Sequence, residues 1–216
     1  MPVHLTDIIE YLETQSPSKF PHNKIVITFD DAYRDFKEKV LPQLETATDN
    51  TFLCKATVCV PVGCISNEDK ECLDLNPDEL LNWEELKVLS KHPLLQFIPH
   101  SISHVRFDQF DGRQDKKTCL EHEIGKSKEI LINRLNLQQP PFFFCLPGGA
   151  GWKIGNESDT QERLVIDVLQ QFGYKGALRA EYNTGEDWNQ FCIPRCEPTT
   201  VEELKKLLEG EFCCKN

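Results

Sequence analysis

The sequence predicts a parallel α/β fold, and two patterns support this prediction. Short apolar or β-branched segments alternate along the chain with segments whose apolar residues recur every three or four positions. The polar residues suited to chemistry follow the carboxyl ends of the predicted strands, which is the edge where open sheets and barrels form active sites. About six strands are predicted, fewer than the eight that close a complete barrel.

Each predicted element is based on a local pattern. Short runs of β-branched, aromatic or other apolar residues predict strands at 25–29, 51–61, 94–98, 142–146, 174–180 and 191–195. Apolar residues at helical spacing predict helices at 5–12, 33–44, 82–90, 116–135, 162–172 and from 200 onward. Capping boxes begin the third and the last helix, and a glycine ends the helix at 162–172.

Composition and charge restrict the class of protein. The length of 216 residues predicts a single domain over 1–216, and 27% charged with 39% hydrophobic residues is typical of a soluble globular chain. The formal net charge of -11 comes without a block of basic residues, so we expect no nucleic acid or anionic membrane as a partner. No apolar run approaches the roughly 20 residues of a membrane span, so we expect no membrane insertion. Residues 1–7 lack signal-peptide features, which predicts a cytoplasmic location for the sequence as written. The oligomeric state stays open.

The segment 63–80 is polar and acidic, and we predict that it is a surface insertion within the single domain. Cys64 and Cys72 flank its polar part and would pair if the compartment is oxidising. The ten cysteines of the chain include no Cys-x-x-Cys pair, so neither a zinc finger nor a thioredoxin motif is indicated. Most of the remaining cysteines lie in apolar segments, where a buried free thiol is the expected state.

Two aspartates and two histidines form the candidate site. Asp30 and Asp31 follow the first long strand, and because adjacent carboxylates repel each other when ionised, a cation is the usual neighbour of such a pair. His100 and His104 follow the strand at 94–98; if their segment is helical, both rings lie on one face and reach one ion. The histidine spacing alone indicates solvated or core residues. Together with the aspartate pair it predicts a metal site of two histidines and one carboxylate.

The sequences TFDDA at 28–32 and HSISH at 100–104 resemble the first two motifs of the polysaccharide deacetylases, the NodB-homology family or carbohydrate esterase family four. Further stretches that are typical of this family occur along nearly the whole chain, including the helices that follow both motifs. The resemblance implies a distorted, incomplete (β/α) barrel. It also implies a carbohydrate substrate and the hydrolysis of an N-acetyl group from an amino sugar or a glycan that contains N-acetylglucosamine.

The resemblance assigns roles to individual residues. Asp31, His100 and His104 would hold one divalent metal ion, with zinc as the default and cobalt, nickel or iron equally compatible with these ligands. Asp30 would be the general base that accepts a proton from the metal-bound water, the nucleophile of the reaction.

Two further positions complete the expected machinery. Pro147 and Gly148 stand in the third-motif position, and the Gly148 N–H would stabilise the oxyanion. Ser101 would support the histidine loop through a hydrogen bond.

Three positions depart from the family pattern. Cys145 stands where many members carry an arginine that orients the base. Asp187 and Trp188 match the end of the fourth motif without its earlier aspartate, and an ordinary surface loop explains them equally well. The strand at 191–195 lacks the histidine that the fifth motif supplies as general acid, so the identity of the acid stays open. These departures keep open an alternative, a catalytically inactive member that binds a glycan or another partner.

Two other classes of metal protein fit the sequence less well. Non-haem iron oxygenases also use two histidines and a carboxylate, but they usually place the carboxylate two residues after the first histidine, where this chain has Ile102. Zinc proteases of the His-Glu-x-x-His type require a glutamate after the first histidine, where this chain has Ser101.

Overall fold

The strands pair only in parallel within the part of the chain that the computed structural model describes, which comprises residues 1–14, 24–49, 52–65, 72, 74–148, 160–179 and 190–208. They form three open groups, in which β1 pairs with β2, β4 lies between β3 and β5, and β7 lies between β6 and β8. The strands are β1 (Pro2–Val3), β2 (Ile25–Val26), β3 (Thr28–Phe29), β4 (Ala56–Val60), β5 (Leu95–Pro99), β6 (Phe143–Cys145), β7 (Gly176–Arg179) and β8 (Ile193–Pro194).

Helices connect these strands, as the alternating pattern predicts for a parallel sheet. The α-helices are α1 (Ile9–Thr14), α2 (Leu41–Ala47), α3 (Trp83–Leu89), α4 (Lys116–Leu120), α5 (Ser127–Leu135), α6 (Thr160–Gln171) and α7 (Val201–Leu208). Wider π-helical turns lead into two of them, Phe36–Val40 before α2 and Glu121–Lys126 between α4 and α5. Tighter 3-10 turns are formed by Leu5–Ile8, Pro77–Glu79 and Phe107–Phe110.

The predicted order of elements is confirmed, and so is the capping box that begins α3. The Asn82 side chain accepts a hydrogen bond from the Glu85 N–H at 2.9 Å, and the Glu85 carboxylate accepts one from the Asn82 N–H at 3.0 Å. β4, β6 and β7 are buried along their whole length, as strands covered on both faces are.

The first long strand differs from the prediction. Residues 25–29 form two short strands on either side of Ile27, and their side chains are half-buried or exposed instead of buried. The physical reason is a change of partner, because β2 pairs with β1 whereas β3 pairs with β4. The break directs the chain toward the carboxyl edge of the β3–β4–β5 sheet, where Asp30 and Asp31 follow.

The segment 63–80 is anchored in the core at its described ends. Cys64 and Leu80 are buried, and Leu80 forms a bridge with Tyr33. A disulfide joins Cys64 to Cys72. Both described ends of the segment therefore pack in the core, and Cys64 and Cys72 form the pair that the sequence predicts for an oxidising compartment.

No helix in the described ranges is long and apolar enough to cross a membrane.

Candidate active site

Three predicted ligand residues converge at the carboxyl ends of β3 and β5. The ligand atoms of Asp31, His100 and His104 all lie within 4.8 Å of one another. Asp31 Oδ1 is 3.2 Å from His104 Nε2 and 3.6 Å from His100 Nε2. Two ligands held about 2.1 Å from one ion at a tetrahedral angle are separated by about 3.4 Å, so this spacing suits a common cation.

Left-handed backbone conformations, and not a helix, bring the histidines together. The φ angles of Asp31, Ser101 and His104 are 67°, 65° and 59°. The prediction that the histidine segment is helical, with both rings on one face, is therefore wrong. Non-glycine residues adopt this region only where the surrounding structure compensates for about 1–3 kcal/mol each.

Each histidine ring is oriented by an acceptor on its outer nitrogen. His100 Nδ1 donates to the Cys145 carbonyl oxygen at 2.9 Å, and His104 Nδ1 donates to Asp74 Oδ1 at 2.7 Å. These acceptors hold the Nδ1 side of each ring, so both Nε2 atoms face the site, and each offers a lone pair to a metal ion when its ring is neutral. This is the arrangement in which imidazole binds a metal.

Asp31 provides an independent test of whether a metal fits. Its Oδ1 atom is buried, lies beside both Nε2 atoms and accepts no hydrogen bond from the described residues. A buried acceptor without a donor is costly, and here it faces two further acceptors. A divalent cation at this point satisfies all three groups, so the residues fit a metal ion.

The electrostatics of the site favour positive charge. Burial lowers the pKa of His100, but the Cys145 thiol and the carboxylates of Asp30 and Asp31 outweigh this effect and raise its pKa to about 9. The same competition raises the pKa of His104, where the neighbouring Asp31 carboxylate acts most strongly against burial.

A buried glutamate holds the histidine loop. The Glu123 carboxylate accepts hydrogen bonds from the backbone N–H groups of Ile102 and Ser103 at 2.9 and 3.0 Å and from the Ser103 hydroxyl at 2.7 Å. Ser101 Oγ accepts a hydrogen bond from the His104 N–H at 3.0 Å. The Ser101 contact was predicted from the sequence, but the role of Glu123 was not. The signal that could have identified Glu123 is an acid directly before the inward residue Ile124.

Arg195, which was not predicted to be a site residue, forms a bidentate ion pair with Asp30. Arg195 Nη1 and Nη2 each lie 2.7 Å from one oxygen of the Asp30 carboxylate. Further hydrogen bonds to Thr28 Oγ1 at 3.0 Å and to the Arg179 carbonyl at 3.2 Å fix the guanidinium. Burial raises the pKa of Asp30, but the hydrogen bonds and charge of Arg195 outweigh this and hold its pKa well below the usual range.

Arg195 follows β8, so it comes from the strand in which the family pattern led us to look for a histidine. The position of the family's usual arginine is Cys145, whose thiol lies 3.6 Å from Asp30 Oδ1. The signal that could have identified Arg195 is a lone cation at the carboxyl end of a predicted strand, the same rule that found Asp30 and His100.

A second cluster of ligand atoms lies beside the first, formed by Asp30, Cys59 and Cys145. Both oxygens of this carboxylate already bind Arg195. The fixed positive charge of the guanidinium disfavours a second cation there. The three-residue set that contains Asp31 is therefore the better metal site.

Gly148 lies in a turn that accepts no side chain. Its φ is +59°, and a Cβ atom would meet Arg106 Cγ at 2.7 Å. Pro147 directly precedes it, after β6. Asp187, Trp188 and His22 lie outside the described residues.

His4 and His92 are not placed to supply the missing acid. His4 Nε2 contacts the Leu94 carbonyl oxygen, and His92 pairs with Glu45 on the surface. Leu94 directly precedes β5, so His4 lies at the end of that strand opposite to His100.

Comparisons with known proteins show the family and the fold of the chain. Residues 18–177 match the family model named Polysaccharide deacetylase. The deacetylase PplD from Streptococcus pyogenes, solved with acetate, has a similar structure with a TM-score of 0.71 at 17% identity, covering 98% of this chain and 80% of that one. IcaB from Ammonifex degensii gives 0.71 at 14% identity, with 98% and 82% covered. A de-N-acetylase from Aggregatibacter actinomycetemcomitans gives 0.65 at 13% identity, with 90% and 77% covered. No curated protein sequence matches the chain.

Proposed function

Because this chain belongs to the polysaccharide deacetylase family, we propose that it is a metal-dependent hydrolase that removes N-acetyl groups from the amino sugars of a glycan. The observation that carries the proposal is the convergence of Asp31, His100 and His104, with Asp30 Oδ2 only 4.0 Å from His100 Nε2. The candidate metal position and the Asp30 carboxylate are therefore close enough together to act on the same acyl group.

A common interior supports the proposed incomplete (β/α) barrel. Side chains from successive strands meet in one buried cluster that contains Cys59, Ile98, Phe143, Cys145 and Leu178. Val26 and Ile193, from the first and last groups of strands, pack against it. We also propose that residues 1–216 form one deacetylase domain.

The metal set consists of Asp31, His100 and His104, with zinc as the first candidate and cobalt, nickel or iron compatible with the same donors. When bound, such an ion lowers the pKa of its water to about 7 and polarises the acyl oxygen. The role of the three residues is to present two imidazole nitrogens and one carboxylate oxygen in a fixed geometry.

Asp30 is the proposed general base, and Arg195 is its positioning residue. The paired guanidinium keeps the carboxylate ionised and fixes the direction of its remaining lone pairs. A carboxylate in this position accepts a proton from the attacking water. Because neither His4 nor His92 is placed to act as general acid, the protonated Asp30 carboxyl is our candidate donor to the leaving amine.

The other predicted residues keep supporting roles in this proposal. The Gly148 N–H is the candidate donor to the developing oxyanion, in a turn that requires glycine. Ser101 holds the backbone of His104. Asp187 and Trp188 remain candidates for the wall of the substrate cleft.

The test is acetate release from N-acetylglucosamine oligomers by metal-free and zinc-loaded protein. We expect activity only in the loaded form. Asp30→Asn should bind zinc normally and lose about 10²–10⁴-fold in kcat, the usual contribution of a general base. Asp35→Asn, which changes an exposed acid nearby, is the matched control.

The second candidate function is a glycan-binding protein without catalysis, which the missing acid histidine favours. It predicts that wild type and Asp30→Asn release acetate at the same background level while both still bind the oligomer. That result would exclude the hydrolase.

A further inference from the structure

His104 is held by a side chain from the segment 63–80, outside both motifs that resemble the family. Asp74 Oδ1 accepts its Nδ1–H at 2.7 Å. The imidazole is nearly buried, with 13% of its side chain exposed, whereas 60% of the Asp74 side chain is exposed. A carboxylate at the surface is free to adopt many conformations, so something must hold Asp74 against the ring.

The beginning of the segment is joined directly to the histidine loop. The Val62 N–H donates to the Ser101 carbonyl at 3.0 Å, and the Gly63 N–H donates to the Ile102 carbonyl at 3.0 Å. The two backbones approach so closely at Gly63 that a Cβ atom would lie 2.6 Å from the Ile102 side chain. Cys64, the next residue, places its sulfur 3.8 Å from the same carbonyl.

The disulfide then returns the chain to the histidines. Cys64 and Cys72 are bonded, with their Cα atoms 4.7 Å apart, and Asp74 lies two residues after Cys72. The covalent link therefore fixes the starting point of the short stretch that carries the carboxylate. These contacts therefore connect the histidine loop to itself. They lead from the turn at 62–64 through the disulfide to Asp74, which binds His104 Nδ1.

We propose that Asp74 is a positioning residue for the metal ion and that the Cys64–Cys72 disulfide tethers it to His104. This inference rests on the proposed metal-dependent function. A carboxylate bonded to the outer nitrogen of a metal-binding imidazole fixes the tautomer and raises the basicity of the inner nitrogen. An exposed carboxylate contributes little without restraint, because ordering it costs conformational entropy, and the disulfide reduces that cost.

The test is the affinity of metal-free protein for zinc, measured by competition with a chromophoric chelator. We expect Asp74→Ala to weaken zinc binding by about 10- to 100-fold, the usual effect of removing such a partner. Asp74→Asn, which keeps an acceptor oxygen, should recover part of the loss. Asp78→Ala removes another exposed acid of the same segment and should bind zinc as wild type does.

A double-mutant cycle tests the tether. Cys72→Ser should weaken zinc binding in the same direction, and the double variant Cys72→Ser/Asp74→Ala should bind no more weakly than Asp74→Ala alone, because the disulfide acts through this carboxylate. Circular dichroism of each metal-free variant at the assay temperature will show that the fold is intact, because loss of the disulfide by itself is expected to lower the unfolding temperature.

Two results overturn the inference. If wild type binds zinc at His104 and Asp74→Ala binds it equally well, the positioning role is wrong while the hydrolase proposal stands. If the losses of Cys72→Ser and Asp74→Ala add up fully, the disulfide does not act through Asp74. A wild type that binds no zinc refutes the proposed function itself, and the positioning role with it.

Discussion

The two halves of the candidate site are built in opposite ways. In the metal half, the outer atoms of His100 and His104 are bonded to acceptors, while the inner atoms and Asp31 Oδ1 have no donor among the described residues. In the base half, both oxygens of Asp30 are already bound by Arg195. The acceptor atoms of the metal half are held in place and face an open centre. In the base half, the charge of the carboxylate is neutralised by an arginine.

This difference indicates what each half can bind. Open acceptors that face one point attract a cation, and the carboxylates of Asp30 and Asp31 contribute, after Cys145, to the raised pKa of His100. A carboxylate that is paired with a guanidinium stays ionised, but the positive charge of the guanidinium disfavours a second cation beside it. Two adjacent aspartates therefore take different roles because only one of them faces an arginine.

The largest expected effect comes from removing a ligand of the open half. His100→Ala takes away one imidazole and the hydrogen bond to Cys145, so we expect zinc binding to weaken by more than about 10²-fold, beyond the effect of losing a supporting contact. Acetate release should fall to background. Metal content after dialysis measures this, and His92→Ala, at a surface ion pair, is the control. Full zinc occupancy in His100→Ala would contradict the site.

A smaller effect is expected from removing the arginine that neutralises Asp30. Arg195→Met removes the partner of Asp30, and we expect kcat to fall by about 10²-fold because the base is misplaced. Zinc affinity should stay close to that of wild type.

The pH dependence of the same variant has a definite sign. Arg195 keeps the pKa of Asp30 low, so its loss raises that pKa, and the acid limb of kcat/KM should move to higher pH. Arg113→Met is the matched control, since Arg113 grips Asp115 through two hydrogen bonds of 2.8 Å at the surface. An unchanged acid limb in Arg195→Met would show that Asp30 is not the titrating base.

The smallest effect concerns the support of the histidine loop. Glu123→Gln keeps the shape of the side chain but removes its charge. The amide oxygen can still accept from the two backbone N–H groups, and the amide nitrogen would donate to the Ser103 hydroxyl, so three charge-assisted hydrogen bonds become weaker neutral ones. We expect zinc affinity to fall by about tenfold, at the low end for such a supporting contact. Glu129→Gln, on the exposed side of α5, should have no effect, and equal affinities for the two variants would show that the loop holds itself.

The sequence predicted the metal half better than the base half. Asp31, His100 and His104 follow strands and resemble known motifs, so position and residue type both pointed to them. Their convergence was predicted for the wrong reason, because a four-residue spacing suggested a helix whereas left-handed φ angles at Ser101 and His104 form a tight loop. Such angles in non-glycine residues depend on tertiary contacts, which a single sequence does not display.

The contacts that the sequence did not predict are long-range. Arg195 lies 165 positions from Asp30, and Glu123 lies 21 from Ile102. Pairing over such distances is decided by how the sheets pack, and the residue types alone gave no preference for these partners. The two strands around Ile27 were predicted as one for a similar reason, since a change of pairing partner leaves no mark on an apolar run.

The origin of Arg195 in the last strand has a consequence for synthesis on the ribosome. The proposed metal ligands Asp31, His100 and His104 all precede β8, so they are synthesised before Arg195. Until Arg195 is added, the carboxylate of Asp30 lacks its counter-charge. The neutralising arginine is therefore the last described residue of the proposed site to be synthesised.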